Sequence, residues 1–288
     1  MVGVGILDMD DEKQLSTFDI YFTFLEKIGG IYDRLLGRFD SKGAALTSFS
    51  ESEKVFCAVC ARIYKTACAL KILCKEGKTE DSEPILRVLQ EDIISILWVM
   101  QTDSANRLND IKAREKFFAY NQLERYKEHL QGLQKKKFTK RRDREIKRVQ
   151  KIVTKFQPQI TNLLIKYKKY NLKSSRDVQW SGFPITPTLR QMAEIVGLKL
   201  DHLISYWISS TYVHFSLQKL THYLKHSDKG LEFVITPNYK LIPDILIPLV
   251  HLMIIFAQSF NKYFGLRFNN EIKTFRREFY TSLKQKRK

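Results

Sequence analysis

The sequence is poor in residues that interrupt helices and lacks the motifs that name an enzyme. Seven prolines and twelve glycines in 288 residues are too few for a disordered or β-rich chain. No G-x-G-x-x-G and no G-x4-G-K-[ST] phosphate loop occurs, nor does H-E-x-x-H, a G-x-S-x-G elbow or a cluster of acids at two-metal spacing, which argues against the reaction classes built on them. Four cysteines, Cys57, Cys60, Cys68 and Cys74, share one apolar run. The C-x2-C pair has no turn glycine or nearby histidine, so a continuous helix with small buried thiols in a reducing compartment is expected, with no metal and no cofactor. The strongest apolar run, Ile245 to Ala257, contains Pro248 and His251 and is too short to span a bilayer. The first residues, MVGVGILDMDDEK, lack a basic region before an apolar one, so neither signal peptide nor membrane segment is expected and a cytoplasmic location follows.

What is abundant is apolar and basic. Hydrophobic residues make up 44% of the chain, with 19 Phe and 13 Tyr, enough for a sizeable core. The net charge of +18 is concentrated in two places. Gln134 to Tyr170 carries fourteen Lys or Arg against Asp143 and Glu145, and Arg267 to Lys288 carries eight against Glu271 and Glu278. One-sided charge of this kind marks a surface for a polyanion; the plainer alternative is a solvated face. The candidate nucleic-acid contacts are Lys135, Lys136, Lys137, Lys140, Arg141, Arg142, Arg144, Lys147, Arg148 and Lys151.

Apolar spacing predicts an all-α protein, a bundle of about nine to ten helices with a protruding basic arm. Residues 1–266 read as one helical domain that includes the arm, 134–170, and residues 267–288 as a basic C-terminal helix. Ser16 to Phe39 is helical with a kink or break at Gly29 and Gly30. Ser50 and Glu53 form a capping box that starts a helix ending near Gly77. Ser82, Glu83 and Pro84 signal the next start, and Thr102 to Asp110 reads as a polar loop before a helix from about Ile111 to Leu133. Ile146, Val149, Ile152, Val153 and Phe156 give the arm a narrow apolar seam, with Pro158 ending or kinking it. Thr186 and Pro187 open a short helix stopped by Gly197. Leu231 to Thr236 reads as extended, Pro243 begins an apolar helix to Phe264, and Asn269 to Lys286 forms the last helix.

Asp201 to Tyr223, continuing to about His226, has helical length and only two formal charges, Asp201 and Lys219. A buried helix with this many hydroxyls and two histidines needs polar partners. Its spacing puts Ser205, Ser209, Tyr212 and Ser216 on one stripe and Ser210, His214, Gln218 and His222 on the next. Arg87 and Glu91, four apart in an apolar helix, are the expected partners. An imidazole, a guanidinium and a carboxylate brought together can do acid and base work on a phosphodiester; the alternative is a satisfied core network. The candidate reactive set is Arg87, Glu91, Tyr206, Ser209, Tyr212 and His214.

The segments ILRVLQEDIISILWVM and YWISSTYVHFS, with Trp180 and the helix ending at Gly197, resemble a broad bacterial family known only as a domain of unknown function, over roughly Phe56 to Tyr223. The resemblance implies an all-helical fold and a clustering of these polar residues. The outline is also similar to the HEPN superfamily, which implies toxin or host-defence ribonucleases, but none of the six histidines follows an arginine at that family's Arg-x4-6-His spacing. Two functions lead, with peripheral membrane association through the C-terminal helix a weaker third. One is a nucleic-acid-associated effector binding RNA or DNA through the arm, whose enzymatic form is a metal-independent ribonuclease. The other is a non-enzymatic scaffold that docks an acidic protein partner. Oligomeric state is left open.

Overall fold

The computed structural model describes residues 15–40, 49–135, 139–166, 186–200, 202–203, 224–227, 230–233 and 237–286. The first helix, α1 (Asp19–Asp40), runs through Gly29 and Gly30 without the break that the glycines predicted. Each glycine costs a helix about 1 kcal/mol relative to alanine, but Ile28, Tyr32 and Leu35 on the same helix are fully buried, and that burial outweighs the deficit. Contact explains Gly29. A Cβ there would lie 3.3 Å from the ring of Tyr64 on the next helix.

That helix, α2 (Glu51–Lys75), opens with the predicted capping box: Ser50 Oγ accepts from Glu53 N and Glu53 Oε2 accepts from Ser50 N. The cysteines lie along it uninterrupted, all free, with Cys60 and Cys74 buried and Cys68 exposed. Burial pushes the Cys57 thiol up to about 11 and the Cys74 thiol up to about 12. Gly77, at φ +65°, turns the chain into α3 (Thr79–Gln101), which starts before the predicted Ser82-Glu83-Pro84 signal and carries Pro84 inside it. The cause is tertiary. Asn238 N donates to Gly77 O, Thr79 Oγ1 donates to Asn238 O at 2.7 Å, and Asn238 Nδ2 donates to Glu80 Oε1 at 2.5 Å. These bonds hold the first turn where local sequence alone would leave it frayed.

Helix α4 (Ser104–Gln134) begins inside the stretch predicted as a loop, which shrinks to Thr102 and Asp103. Asp103 takes the left-handed conformation and its carboxylate accepts from Asn106 Nδ2, while Leu108 and Ala113 are buried. Helix α5 (Lys140–Lys166) continues through Pro158 rather than ending there. It packs on α4 as a helical hairpin, tied near its tip by His129 Nε2 and Glu145 Oε1 at 2.9 Å. The short helix α6 (Leu189–Ile195) is capped by Thr188 and Gln191 rather than by Thr186: Gln191 N donates to Thr188 Oγ1 and Thr188 N to Gln191 Oε1.

Leu224–Ser227 (β1) and Gly230–Phe233 (β2) pair antiparallel, with Leu224 opposite Phe233 and Ser227 opposite Gly230. The predicted helix therefore cannot extend to His226; its last expected turn is a strand, and the extended piece starts at Gly230. Helix α7 (Ile242–Tyr263) has the length and apolarity to cross a membrane, more than the shorter run predicted. Here it packs against α1, α2, α3 and α8 (Asn269–Lys286), with Leu249, Met253, Phe256 and Phe260 fully buried. Tyr32 Oη donates to Met253 O at 3.0 Å in this interior. Buried Asn261 accepts from Phe268 N and donates to Asn269 Oδ1, fixing the turn between α7 and α8. The apolar stripe of α8, Phe268, Ile272, Phe275 and Phe279, is buried, with Phe24 of α1 edge-on to Phe275 and Phe279.

The fold is all-α, with one small β-hairpin among the described residues. It divides into two compact units, Met1–Gln101 with Ala193–Lys288, and Thr102–Met192. These limits differ from the division at residue 266 expected from composition, because α8 is built into the first unit and the α4–α5 hairpin forms most of the second.

Candidate functional site

In the first unit, α3 is apolar beyond its first turns except for Arg87, Gln90, Glu91, Asp92 and Ser95 and its final Gln101. Arg87 and Glu91 meet as expected: Arg87 Nε donates to Glu91 Oε1 at 3.0 Å, with the side chains 15% and 30% exposed. An i,i+4 pair at this depth holds a guanidinium in place at small net gain, and removing one partner costs more than the pair contributes. Asp92, the next residue, faces α2. Arg62 Nη2 lies 2.9 Å from Asp92 Oδ2, close enough for an ion pair but not aligned as a hydrogen bond, and that buried oxygen accepts none. Burial accordingly raises the Asp92 carboxyl, the Arg62 charge offsets part of the rise, and the Glu91 charge adds to it.

Gln90 was not singled out by sequence. It is 2% exposed and its Nε2 has no hydrogen-bond partner. The available signal was an uncharged amide between Leu89 and the acids Glu91 and Asp92, on a helix whose other neighbours are mostly apolar, where a buried polar group without charge needs an explanation. Tyr206, Ser209, Tyr212 and His214, the other members of the expected reactive set, lie outside the described residues, as does Trp180. What is in place on α3 is an anchored Arg87–Glu91 pair beside a buried amide.

In the second unit the basic residues sit on the α4–α5 hairpin. Lys135 closes α4. Lys136 and Lys137 lie outside the described residues, and Arg141 is placed on α5 by its backbone. Lys140, Arg144, Lys147, Arg148 and Lys151 are exposed, together with Lys155, which composition had not singled out, and Arg142 is half-buried. The seam that holds α5 is narrow, as expected: Val149 is buried, Ile146, Ile152 and Val153 are half-buried, and Phe156 is exposed. Both acids on α5 are engaged, Asp143 by Lys147 Nζ at 2.9 Å and Glu145 by His129. Lys155 Nζ stands 5.6 Å from the centre of the Phe156 ring, an exposed cation beside an exposed aromatic.

The sequence profile of a family of unknown function, DUF5677, matches residues 53–231, more than half of the chain. No curated protein matches the chain, and neither does any solved structure.

Proposed function

This chain belongs to the DUF5677 family of unknown function, and we propose that it binds nucleic acid through the outward face of α5. The observation that carries the reading is the charge geometry of that helix. Its two acids are taken up by Lys147 and His129, while Lys140, Arg144, Arg148, Lys151 and Lys155 are exposed over about four turns. Cations spaced along a rigid rod match the regular negative charge of a phosphate backbone and position it without reading sequence. A surface helix that served only solubility would intersperse acids with its lysines. The proposal is one of binding. On α3, Arg87 and Glu91 form an intrahelical pair, the arrangement that anchors a half-buried guanidinium, so no bond-breaking step is assigned to them.

The test is fluorescence anisotropy with a labelled oligoribonucleotide and the matching DNA at roughly 50 to 200 mM salt, where phosphate contacts weaken binding steeply. The triple variant Arg144→Gln, Arg148→Gln, Lys151→Gln should weaken binding and flatten the log–log salt slope by about 2. Absence of binding at low salt, or a slope that the triple variant leaves unchanged, removes the proposal.

A further inference from the structure

A groove of about 220 Å³ lies between α1 and α2, away from every residue discussed so far as a binding group. Gly29 and Gly30 line it, and they explain it differently. Gly29 is needed where α1 approaches Tyr64. Gly30 is not: a Cβ there would meet only the tip of the Arg34 side chain, at an ordinary 3.6 Å. Alanine would fit and would favour the helix, so packing does not account for the glycine. What it does is keep the groove open.

The polar groups around the groove are unequally matched. At one end Glu26 Oε1 receives Lys71 Nζ at 2.6 Å, with Lys75 adding to the positive charge near it. At the other end Asp33 receives the Tyr64 hydroxyl at 3.1 Å. No cation pairs with Asp33 among the described residues; its neighbour Arg34 is bound to Glu271. The groove thus ends in an exposed carboxylate beside the Tyr64 ring, and between the two ends its walls include Leu25, Ala67 and Met253. A carboxylate beside an aromatic ring attracts an ammonium group, and a wall containing methionine adapts to an apolar body.

We propose that this groove is a binding site for a small organic cation, its ammonium group at Asp33 and Tyr64 and its apolar body running past Gly30 toward Leu25, Ala67 and Met253. The site belongs to the first unit and does not depend on the nucleic-acid reading. The probe is phenethylamine, cationic at neutral pH, compared with phenethyl alcohol and phenylacetate, which keep the ring and change the charge. Calorimetric or NMR titration of the full chain should show saturable binding of the amine, with the alcohol and the carboxylate at least about tenfold weaker. Asp33→Asn retains an acceptor for the Tyr64 hydroxyl and removes the charge, and should weaken the amine by about tenfold. Gly30→Leu should abolish binding, with circular dichroism confirming the fold; if that variant misfolds, Gly30→Ala replaces it and should bind more weakly while melting no lower. Equal binding of amine and alcohol, indifference to Asp33→Asn, or no saturable binding overturns the proposal.

Discussion

Two residues show how far a single side chain, or the lack of one, sets the stability of this protein. At Gly77 the backbone is left-handed, and an added Cβ would fall 2.2 Å from Pro237 Cβ and 2.7 Å from its Cα. Both strain and collision oppose any substitution, so Gly77→Ala should lose at least about 3 kcal/mol in urea denaturation; a loss near zero would mean that the 77–237 contact is not formed. Asp92 makes a pH-dependent contribution of the opposite kind to a stabilising carboxylate. Its folded value lies above the ordinary 3.8, chiefly through burial, so the folded protein holds that proton more readily than the unfolded chain. The penalty for ionising it is absent below about pH 4 and grows as pH rises through the raised value. Asp92→Asn should therefore gain stability relative to the parent as pH goes from about 3.5 to 7; a gain that is flat or falling over that range would contradict this. Ser50 with Glu53 was legible as a cap because its partners are three residues apart. Gly77 was legible only as a helix stop, because the residue that makes it irreplaceable, Pro237, is remote in sequence.

Among the described residues, helices with an apolar face were legible, and several of their ends were not. Helix α8 spans Asn269–Lys286 as its spacing predicts, and α7 starts at Ile242, one residue before the expected Pro243. Most of the errors share a cause, which is that local breakers were overruled by packing. Gly29 and Gly30 sit in the middle of an unbroken α1, Pro84 lies inside α3, and the polar start of α4 is helical because Leu108 and Ala113 have a core to enter. Pro158 in α5 is the remaining case, exposed and with no hydrogen to donate to the turn before it. Only Val149 of the α5 seam is buried, so little packing compensates. Pro158→Ala should raise the stability of the hairpin unit by roughly 1–3 kcal/mol, measured as a shift in its thermal transition, with a destabilised hairpin counting against continuous helix at that point. For the candidate sites, the α5 cations were readable from composition, whereas the groove at Gly30 was not, because it needs α1, α2 and α7 assembled.

At the scale of the whole molecule, the second unit is an insertion into the first. Composition did not show it, since the crossing at Gln101 is marked only by Thr102 and Asp103 and carries neither a proline nor a glycine. The ends it leaves are close: Gln101 Nε2 donates to Ile195 O at 3.2 Å. Replacing residues 103–191 by a Gly/Ser linker of about six residues should span that gap and leave a cooperatively unfolding first unit that no longer binds oligonucleotide. A fragment that fails to fold would show that the inserted unit supports the first one. The clasp between Gly77 and residues 237–238 has a temporal meaning as well. The turn after α2 and the start of α3 are completed by a segment translated about 160 residues later, and α7, which covers the apolar faces of α1 and α3, follows that segment. The amino-terminal helices therefore leave the ribosome with their core unfilled and must wait for the carboxy-terminal quarter. Stalled or truncated chains ending before Pro237 should be the species that chaperones hold and proteases remove.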